Sequence, residues 1–239
     1  MRILAIGDIH GCSTAFKTLL DAVKPGPEDL LVTMGDYVDR GPDTRGVIDT
    51  LLGLEKTTQL RPLTGNHEIL FLDALNGSLD VSGWLHVGGR ETLASYGHEG
   101  QGGYLKSVPA EHVEFLSNRC LRYVETENHI FVHANANSVY AMNEQSDDWL
   151  FWTRFDHSFP HVSGKTMICG HTAQKNGRPA LHPKAICIDT WAYGGGWLTC
   201  LDVTAGMFYQ TNQEGEMRQF SLAQLEAEGG GPTTQLIRG

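Results

Sequence analysis

The sequence predicts an α/β fold with two β-sheets. In the first two thirds of the chain, short β-prone apolar runs alternate with segments whose apolar residues recur at helical spacing, which is typical of βαβ units. In the last third, β-prone runs follow one another with only glycine-containing turns between them, which indicates antiparallel strands. This change from crossover connections to short turns favours two sheets over one.

The strands predicted from these runs fall into two groups. The first group covers residues 2–6, 30–34, 58–63, 130–132 and 166–169. The second group, expected to be antiparallel, covers residues 185–188, 197–203 and 207–210. Every strand of the first group is followed within a few residues by polar side chains, at the position where open α/β sheets carry their ligand sites.

Helices are predicted between these strands. The first should begin at Ser13 as its N-cap and bury one face, formed by Phe16, Leu19, Leu20 and Val23. Further helices are expected at residues 42–55 and 69–75, and residues 79–119 are expected to be mostly helical or irregular. We predict one domain over residues 1–220, followed at 221–239 by a short helix and a flexible, glycine-containing tail.

The composition is that of an acidic globular protein. Its 239 residues include 18 Lys and Arg against 28 Asp and Glu, a net charge of −10 at pH 7. Such a surface repels phosphate backbones, so we expect no nucleic-acid partner, and any anionic substrate must be held by a local positive centre. The five cysteines form no C-x-x-C pair and no long apolar run occurs, so we expect no disulfide framework, no membrane partner and a cytoplasmic location.

Metal-binding side chains follow the first group of strands. They are Asp8, His10, Asp36, Asn66, His133 and His171. Each has an ordinary explanation by itself, since Asp-x-His also occurs in capped turns and a single histidine is often a core or turn residue. Such explanations do not account for the finding that every predicted strand of the first group is followed by a side chain able to bind a metal. We therefore expect these residues to form one site.

The ligand types favour particular metals and a particular substrate. Carboxylate, amide and imidazole groups without a thiolate suit Mn, Fe or Zn. Six protein ligands are too many for one open catalytic ion but sufficient for two, and a carboxylate can bridge the pair. Two divalent cations would outweigh the two carboxylates and a bound hydroxide. The site would then be positive inside an acidic protein, which favours a phosphate ester as substrate.

Three sequence blocks resemble a known family. Residues 7–11 read GDIHG, residues 35–41 read GDYVDRG and residues 65–68 read GNHE. In this order and spacing they resemble the signature of the phosphoprotein phosphatase family within the calcineurin-like metallophosphoesterases. The short chain is similar to the compact bacterial and phage-like serine/threonine protein phosphatases. The resemblance continues at His133, His171 and Asp189, and it implies two packed β-sheets flanked by helices.

The resemblance implies roles for the ligand set. The site would hold two divalent metal ions, with Mn²⁺ favoured and Fe or Zn compatible. Asp8 and His10 would bind the first ion, joined by His171 or Asp36, and Asp36 would bridge both ions. The second ion would be held by the remaining ligands, Asn66, His133 and, on the family's usual assignment, His171.

The same resemblance implies the catalytic and phosphate-binding residues. His67 corresponds to the general acid, and Asp39 to the carboxylate that orients it and raises its pKa. Arg40 and Asn66 correspond to phosphate ligands, and Arg154 is the residue best placed in the sequence to be a second arginine ligand.

Three positions depart from the family pattern. Asn135 replaces a glycine two residues after His133, and Trp191 replaces a glycine after Asp189-Thr190. A tyrosine motif found in many eukaryotic members is absent, and Tyr193 is a weak substitute. These differences leave the metal ligands intact but alter the pocket around them.

The implied function is a two-metal phosphomonoesterase of protein serine/threonine phosphatase type, in which a metal-bridging hydroxide attacks phosphorus directly. Phosphorylated proteins or small phosphoesters would be its substrates. Two alternatives within the class are a symmetrical dinucleoside polyphosphate hydrolase and a broad-specificity small-molecule phosphatase. A catalytically silent scaffold is disfavoured, because the ligands, His67 and Arg40 are all present.

Overall fold

Two mixed β-sheets pack face to face and confirm the predicted α/β class. The computed structural model describes residues 1–97 and 107–228. Within these residues, one sheet has seven strands and the other has five, with helices on their outer faces. The predicted tail at 229–239 lies outside the described residues, and the domain boundary at residue 220 stays a prediction.

The first sheet combines the beginning and the end of the chain. Its order is β12-β11-β10-β1-β2-β3, with β9 paired to β10. Strands β1, β2 and β3 are parallel to one another, whereas β10, β11 and β12 pair in antiparallel order. The strands are β1 (Ile3–Ile6), β2 (Leu30–Thr33), β3 (Gln59–Pro62), β9 (Asp189–Thr190), β10 (Trp197–Asp202), β11 (Met207–Thr211) and β12 (Met217–Ser221).

The second sheet comes from the middle of the chain and has the order β4-β5-β6-β8-β7. Strands β5, β6 and β8 are parallel, and β4 and β7 pair with them in antiparallel order at the two edges. The strands are β4 (Tyr123–Glu125), β5 (His129–Val132), β6 (Thr166–Cys169), β7 (Ala180–His182) and β8 (Ala185–Cys187). The sequence analysis missed β4, β7, β9 and β12, which are short or contain few β-branched residues.

The division of strands between the sheets differs from the expectation. The antiparallel strands near the C-terminus do not form a sheet of their own, because β10 pairs with β1, with Leu4 opposite Asp202. The run at residues 185–188, expected in that antiparallel group, instead contributes β8, which is parallel to β6. Pairing between distant segments left no signal in local sequence, so the prediction of two sheets was correct and their membership was not.

The helices lie close to the predicted positions, with differences at their ends. The helix at residue 13 has Cys12 rather than Ser13 at its N-cap, and the Ser13 hydroxyl instead donates to Asp43 at 2.6 Å. The predicted helix at 69–75 begins earlier, at Asn66. The helices are α1 (Ser13–Val23), α2 (Thr44–Leu54), α3 (Asn66–Asn76), α4 (Val81–Trp84), α5 (Arg90–Ser95), α6 (Ala110–Glu114) and α7 (Leu222–Ala227).

Three layers of apolar side chains hold the sheets and helices together. Alternation along β1 sends Leu4 and Ile6 towards α1 and α2, and Ala5 towards the second sheet. Between the sheets, Val32 of the first sheet belongs to the same buried cluster as Phe131 of the second. The opposite face of the second sheet is covered by the irregular segment between β5 and β6. The two sheets are therefore held rigidly against each other, with the parallel strands of both close together.

None of the helices within residues 1–97 and 107–228 has the length and apolar character required to cross a bilayer.

We expect Gly7→Ala to lower the free energy of unfolding by about 1–3 kcal/mol, because overpacking in a tight interior costs this much. Gly7 links β1 to Asp8, and a Cβ atom there would lie 2.4 Å from the carbonyl oxygen of Ile188. Chemical denaturation would measure the change.

The matched control is Gly53→Ala, which has open space around the new methyl group within α2. This variant should gain about 0.5–1 kcal/mol, because alanine is the better helix former. Equal stability of the two variants would contradict the close approach at Gly7.

Candidate metal centre

The carboxyl ends of five parallel strands, three from the first sheet and two from the second, meet at one edge of the molecule. The loops after β1, β2 and β3 carry Asp8 and His10, Asp36, and Asn66. The loops after β5 and β6 carry His133 and His171. All six side chains are buried except that of His171, which is half-buried. Their side chains make contacts across both sheets, described below.

Asp36 lies between two groups of imidazoles. Its Oδ2 is 3.3 Å from Nε2 of His10, and its Oδ1 is 3.5 Å from Nε2 of His133. Asp36, His10 and His67 form one group in which the possible ligand atoms lie within 4.8 Å of one another, and Asp36, His133 and His171 form a second. A carboxylate shared in this way is suited to bridging two cations.

Backbone carbonyl groups orient two of these histidines. Nδ1 of His10 is 2.8 Å from the carbonyl oxygen of Val38, and Nδ1 of His133 is 2.7 Å from that of Met34. A carbonyl oxygen only accepts hydrogen bonds, so each Nδ1 carries a proton. The unprotonated Nε2 atoms then face Asp36, which is the tautomer and orientation required of metal ligands.

Asn66 joins His133 and His171. Its Oδ1 is 3.0 Å from Nε2 of His133 and 2.9 Å from Nδ1 of His171. Nε2 of His171 is 3.2 Å from the carbonyl oxygen of Trp152, which assigns a proton to that atom and leaves Nδ1 as an acceptor. Three acceptor atoms thus converge, an arrangement that a cation at their centre would stabilise.

Asp8 is held at the junction of the two sheets. Both of its carboxylate oxygens accept the backbone N–H of His171, at 2.9 and 3.1 Å. The approach requires a glycine at position 170, where a Cβ atom would lie 1.9 Å from Asp8 Oδ1. The Asp8 carboxylate is thus fixed beside the backbone of His171, but it belongs to neither of the two groups of ligand atoms around Asp36, and its role as a ligand remains a proposal.

Burial and mutual charges prepare the cluster for cations. Burial lowers the pKa of His10, His133 and His171, to about 4 in the case of His171, so the imidazoles are neutral near pH 7. Burial acts to raise the pKa of Asp36, but the positive charge that His133, His67, His10 and His171 carry when protonated at low pH outweighs it and holds the pKa well below its usual range. Burial, reinforced by the charges of Asp189 and Asp36, raises the pKa of Asp8. Closely spaced buried carboxylates with neutral imidazoles fit divalent cations, which would relieve their repulsion.

His67 and Asp39 form a buried hydrogen-bonded dyad beside this cluster. Nδ1 of His67 is 2.7 Å from Asp39 Oδ2. Burial acts to lower the pKa of His67, but the charges of Asp36 and Asp39 outweigh it and raise the pKa above its ordinary value. The His67 ring is close enough to Asp36 and His10 to serve as a ligand, yet its pairing with Asp39 favours a proton donor.

Two residues that the sequence analysis did not identify position Asp39. Nε1 of Trp84 donates to both Asp39 oxygens at 3.0 Å, and Oγ1 of Thr92 donates to Oδ1 at 2.9 Å. All three side chains are fully buried. No local pattern indicated these roles, because Trp84 and Thr92 lie far along the chain from Asp39.

Glu68 is a third residue whose role was not predicted. Its carboxylate accepts the backbone N–H groups of Gly65, Asp36 and Tyr37, at 2.7–2.8 Å. A sequence signal existed, since Glu68 stands at the third position of a helix that follows a glycine, as in a capping box. The carboxylate fixes the loop that carries Asp36 to the start of α3, which carries Asn66.

The two proposed arginine ligands occupy different environments. NH1 of Arg40 is 3.0 Å from Nε2 of His10, and its guanidinium lies over the Tyr193 ring, 4.6 Å from the centroid. The Arg154 side chain is 64% exposed and contacts Asp156 instead. The structure therefore brings Arg40, but not the guanidinium of Arg154, to the cluster.

Two of the positions that depart from the family pattern lie near the site. Asn135 is fully buried, and its Nδ2 donates to the carbonyl oxygen of Arg154 at 2.9 Å, which holds that segment in place. The Trp191 ring packs edge-on against Tyr193, with centroids 6.3 Å apart. Trp191 thus supports the ring that contacts Arg40.

Comparison with known proteins gives a consistent family relationship. The sequence profile described as calcineurin-like phosphoesterase matches residues 1–175. The protein named serine/threonine-protein phosphatase 1 from Salmonella typhimurium is 30% identical over 204 residues, which are 83% of this chain and 90% of that protein.

A second relative has a different named activity. The symmetrical bis(5'-nucleosyl)-tetraphosphatase from Acidovorax sp. is 39% identical over 79 residues, which are 33% of this chain and 27% of that protein. Among solved structures, one provisionally assigned as a diadenosine tetraphosphatase aligns with 92% of this chain and 93% of its own, with a TM-score of 0.64 and 22% identity. At that identity the likeness shows a shared fold.

We expect Mn²⁺ to raise the melting temperature of the wild-type protein, and Asp36→Asn to abolish most of this gain. A ligand that binds only the folded state stabilises it by about 2.7 kcal/mol at a hundredfold excess over Kd. Loss of the shared carboxylate weakens both cation sites, because it contacts both groups of histidines. Thermal unfolding with and without Mn²⁺, together with metal analysis after gel filtration, would measure the effect.

The control is Asp21→Asn, at an exposed position of α1. It should keep the full metal-dependent gain. Two tightly bound ions in Asp36→Asn would contradict the bridging role.

Proposed function

Because the chain belongs to the calcineurin-like phosphoesterase family of metal-dependent hydrolases, we propose that it is a two-metal phosphomonoesterase that removes phosphate from phosphoserine and phosphothreonine in proteins. The observation that carries the proposal is the arrangement around Asp36. One buried carboxylate is shared by two groups of histidines, and the His67–Asp39 dyad lies directly beside it.

The ligand set fits two divalent ions, for which we propose Mn²⁺. Asp8, His10 and Asp36 would hold one ion, and Asp36 with the set Asn66, His133 and His171 would hold the other. Two such ions would supply a water-derived nucleophile at neutral pH and neutralise charge on the phosphate. Oxygen and nitrogen donors without thiolate support this choice without distinguishing Mn²⁺ from Fe or Zn.

The chain's own residues would bind the phosphate and transfer a proton. Arg40 is held against His10 and Tyr193, so its guanidinium is positioned to bind phosphate oxygens bidentately at the edge of the cluster. Asn66 and, after a change of side-chain conformation, Arg154 would add further contacts. His67, whose pKa is raised by the charges of Asp36 and Asp39, would donate its Nε2 proton to the oxygen of the departing alcohol.

The preference for protein substrates rests on how much of each relative's length aligns with this chain. The Salmonella typhimurium phosphatase aligns along 90% of its length, whereas the Acidovorax sp. tetraphosphatase aligns along 27% of its own. Symmetrical hydrolysis of dinucleoside tetraphosphates is the second candidate, and the higher local identity of 39% favours it. Both reactions require phosphate-binding residues and a nucleophile activated by metal ions, so the cluster itself does not distinguish between the two activities.

A substrate panel tests the proposal. The Mn²⁺-loaded protein would be assayed with phosphoserine and phosphothreonine peptides, a bis-adenosine tetraphosphate and nucleoside monophosphates, and kcat/KM compared. We expect the highest value for the phosphopeptides. A higher value for the tetraphosphate would favour the second candidate, and absence of turnover on every phosphoester would contradict both.

We expect His67→Asn to lose about 10²–10⁴-fold in activity on a phosphoserine peptide and far less on p-nitrophenyl phosphate. A general acid matters most for a poor leaving group such as the serine alkoxide, whereas p-nitrophenolate scarcely needs a proton. Single-turnover kinetics on both substrates would measure the chemical step, free of product release.

Asp39→Asn is the companion variant and should change the two activities in the same direction but less. Metal content should be normal in both variants, since neither residue is a proposed ligand. Equal losses on the two substrates would show that His67 acts in some other way, for example by binding phosphate.

We expect Arg40→Ala to raise KM for phosphomonoesters about ten- to a hundredfold, because a charge-assisted bond to phosphate contributes about 1.5–3 kcal/mol. Arg154→Ala should have a smaller effect in the same direction, since its guanidinium must leave an exposed position to reach the phosphate. Steady-state kinetics with metal analysis would measure both.

Arg61→Ala, at an exposed position of β3, serves as the control and should leave KM unchanged. Unaltered KM in Arg40→Ala would remove Arg40 from the phosphate-binding residues.

A further inference from the structure

A pocket of about 430 Å³ opens beside Arg40, outside the ligand set. It is lined by Arg40, His86, Val87, Gly88, Glu91 and Tyr193. Its volume lies within the range of small-molecule binding sites. Arg40 and, through its contact with Arg40, Tyr193 have roles in the proposed function, whereas the other lining residues have none.

The pocket adjoins the part of the site where a leaving group would be protonated. Arg40 and Tyr193 line the pocket, and both also contact His10, at 3.0 Å from Nε2 and 4.9 Å between ring centroids. The His10 ring in turn packs against the ring of His67, with centroids 4.8 Å apart. A phosphate bound by Arg40 would therefore lie between the His10–His67 pair and this pocket, which leaves the pocket available to the organic part of the ester.

The wall of the pocket is attached to the loop after β2, which carries Asp39 and Arg40. The carbonyl oxygen of Gly88 accepts the backbone N–H of Arg40 at 3.0 Å. Gly88 has φ of +121°, and a Cβ atom there would lie 2.6 Å from the Arg40 nitrogen, so only glycine fits. Trp84 and Thr92, at either end of the same segment, hold Asp39. The pocket is thus preformed in relation to the dyad.

The pocket is lined by side chains of opposite charge. Arg40 is the cation among the described lining residues. The other ionised side chain is the carboxylate of Glu91, which is exposed. Nδ1 of His86 is 2.6 Å from the carbonyl oxygen of Ser82 and so carries a proton, which in the neutral imidazole leaves Nε2 as an acceptor. Once Arg40 binds the phosphate, the Glu91 carboxylate is the charged group left among the described lining residues.

We propose that this pocket is the leaving-group subsite and that it selects phosphopeptides with arginine or lysine next to the phosphorylated residue, through Glu91. The proposal rests on the proposed function and adds a preference to it. A basic side chain supplies the donors and positive charge that Glu91 and His86 lack. A nucleoside diphosphate leaving group would place further phosphate charge against Glu91, which is unfavourable at this range.

The test compares peptide pairs on Mn²⁺-loaded protein. One set of phosphoserine peptides carries arginine directly before or directly after the phosphoserine. Each is paired with the same peptide carrying glutamine or glutamate at that position. We expect the arginine peptide to be favoured about two- to fivefold in kcat/KM over its glutamine counterpart, the range of a single exposed ion pair. Glu91→Gln should remove this preference, and Glu91→Lys should reverse it in favour of the glutamate peptide.

A second readout is independent of turnover. Calorimetric Kd values for non-hydrolysable phosphonate versions of the peptides should follow the same order. Glu214→Lys, an equal charge change at an exposed turn between β11 and β12, should keep the wild-type preference. This control separates a local contact from the general effect of net charge.

Each outcome bears on one proposal or the other. An unchanged peptide preference in Glu91→Lys would overturn the subsite while leaving the phosphatase proposal intact. Failure of the wild-type protein to turn over any phosphoester would instead overturn the proposed function. Preference of the wild-type protein for a dinucleoside tetraphosphate, increased further by Glu91→Lys, would assign the pocket to a nucleotide and overturn the choice of a basic peptide.

Discussion

The arrangement of the site depends on the buried carboxylate of Glu68, which accepts backbone N–H groups from two loops at once. This contact ties the loop after β2 to the beginning of α3 so closely that Gly65 has no room for a side chain, since a Cβ atom there would lie 2.2 Å from Asp36 Oδ1. The backbone N–H of His67 in turn donates to the same Asp36 oxygen at 3.0 Å. One interaction thus holds the shared carboxylate of Asp36, the proposed amide ligand Asn66 and the proposed proton donor His67 in a fixed arrangement.

Both sheets contribute residues to the proposed cation pair. The first sheet supplies Asp8, His10 and Asp36 on one side, and the second supplies His133 and His171 on the other. The apolar contact between the sheets, formed by residues such as Val32 and Phe131, keeps these two sets at a constant separation. Burial lowers the pKa of the imidazoles, so they are neutral near pH 7, and it places carboxylates close together, which raises the pKa of Asp8. Divalent cations would offset the repulsion between these carboxylates.

In the proposed function, residues 84–92 would connect proton transfer with the choice of substrate. Their buried face holds Asp39 through Trp84 and Thr92, and their exposed face presents His86 and Glu91 to the pocket. A change in this segment would alter both the orientation of the proton donor and the shape of the pocket. Enzymes of one fold can acquire different substrates through such segments, since the metal ligands lie elsewhere and remain untouched. The family relationship therefore defines the chemistry, and the segment provides a physical basis for specificity.

The candidate ligand types, the pattern of polar residues after strands and the family could be predicted from short stretches of contiguous residues such as GDIHG and GNHE. The sequence also predicted two sheets, and helices near their observed positions. Three features could not be predicted in this way: the pairing of β10 with β1, the contacts of Trp84 and Thr92 with Asp39, and the contact of the Arg154 side chain with Asp156 instead of the cluster. The first two join residues far apart in the chain, and the burial and hydrogen bonds that select them exist only once the sheets have packed. The third contact is local, but whether the Arg154 guanidinium reaches the cluster depends on how its segment packs.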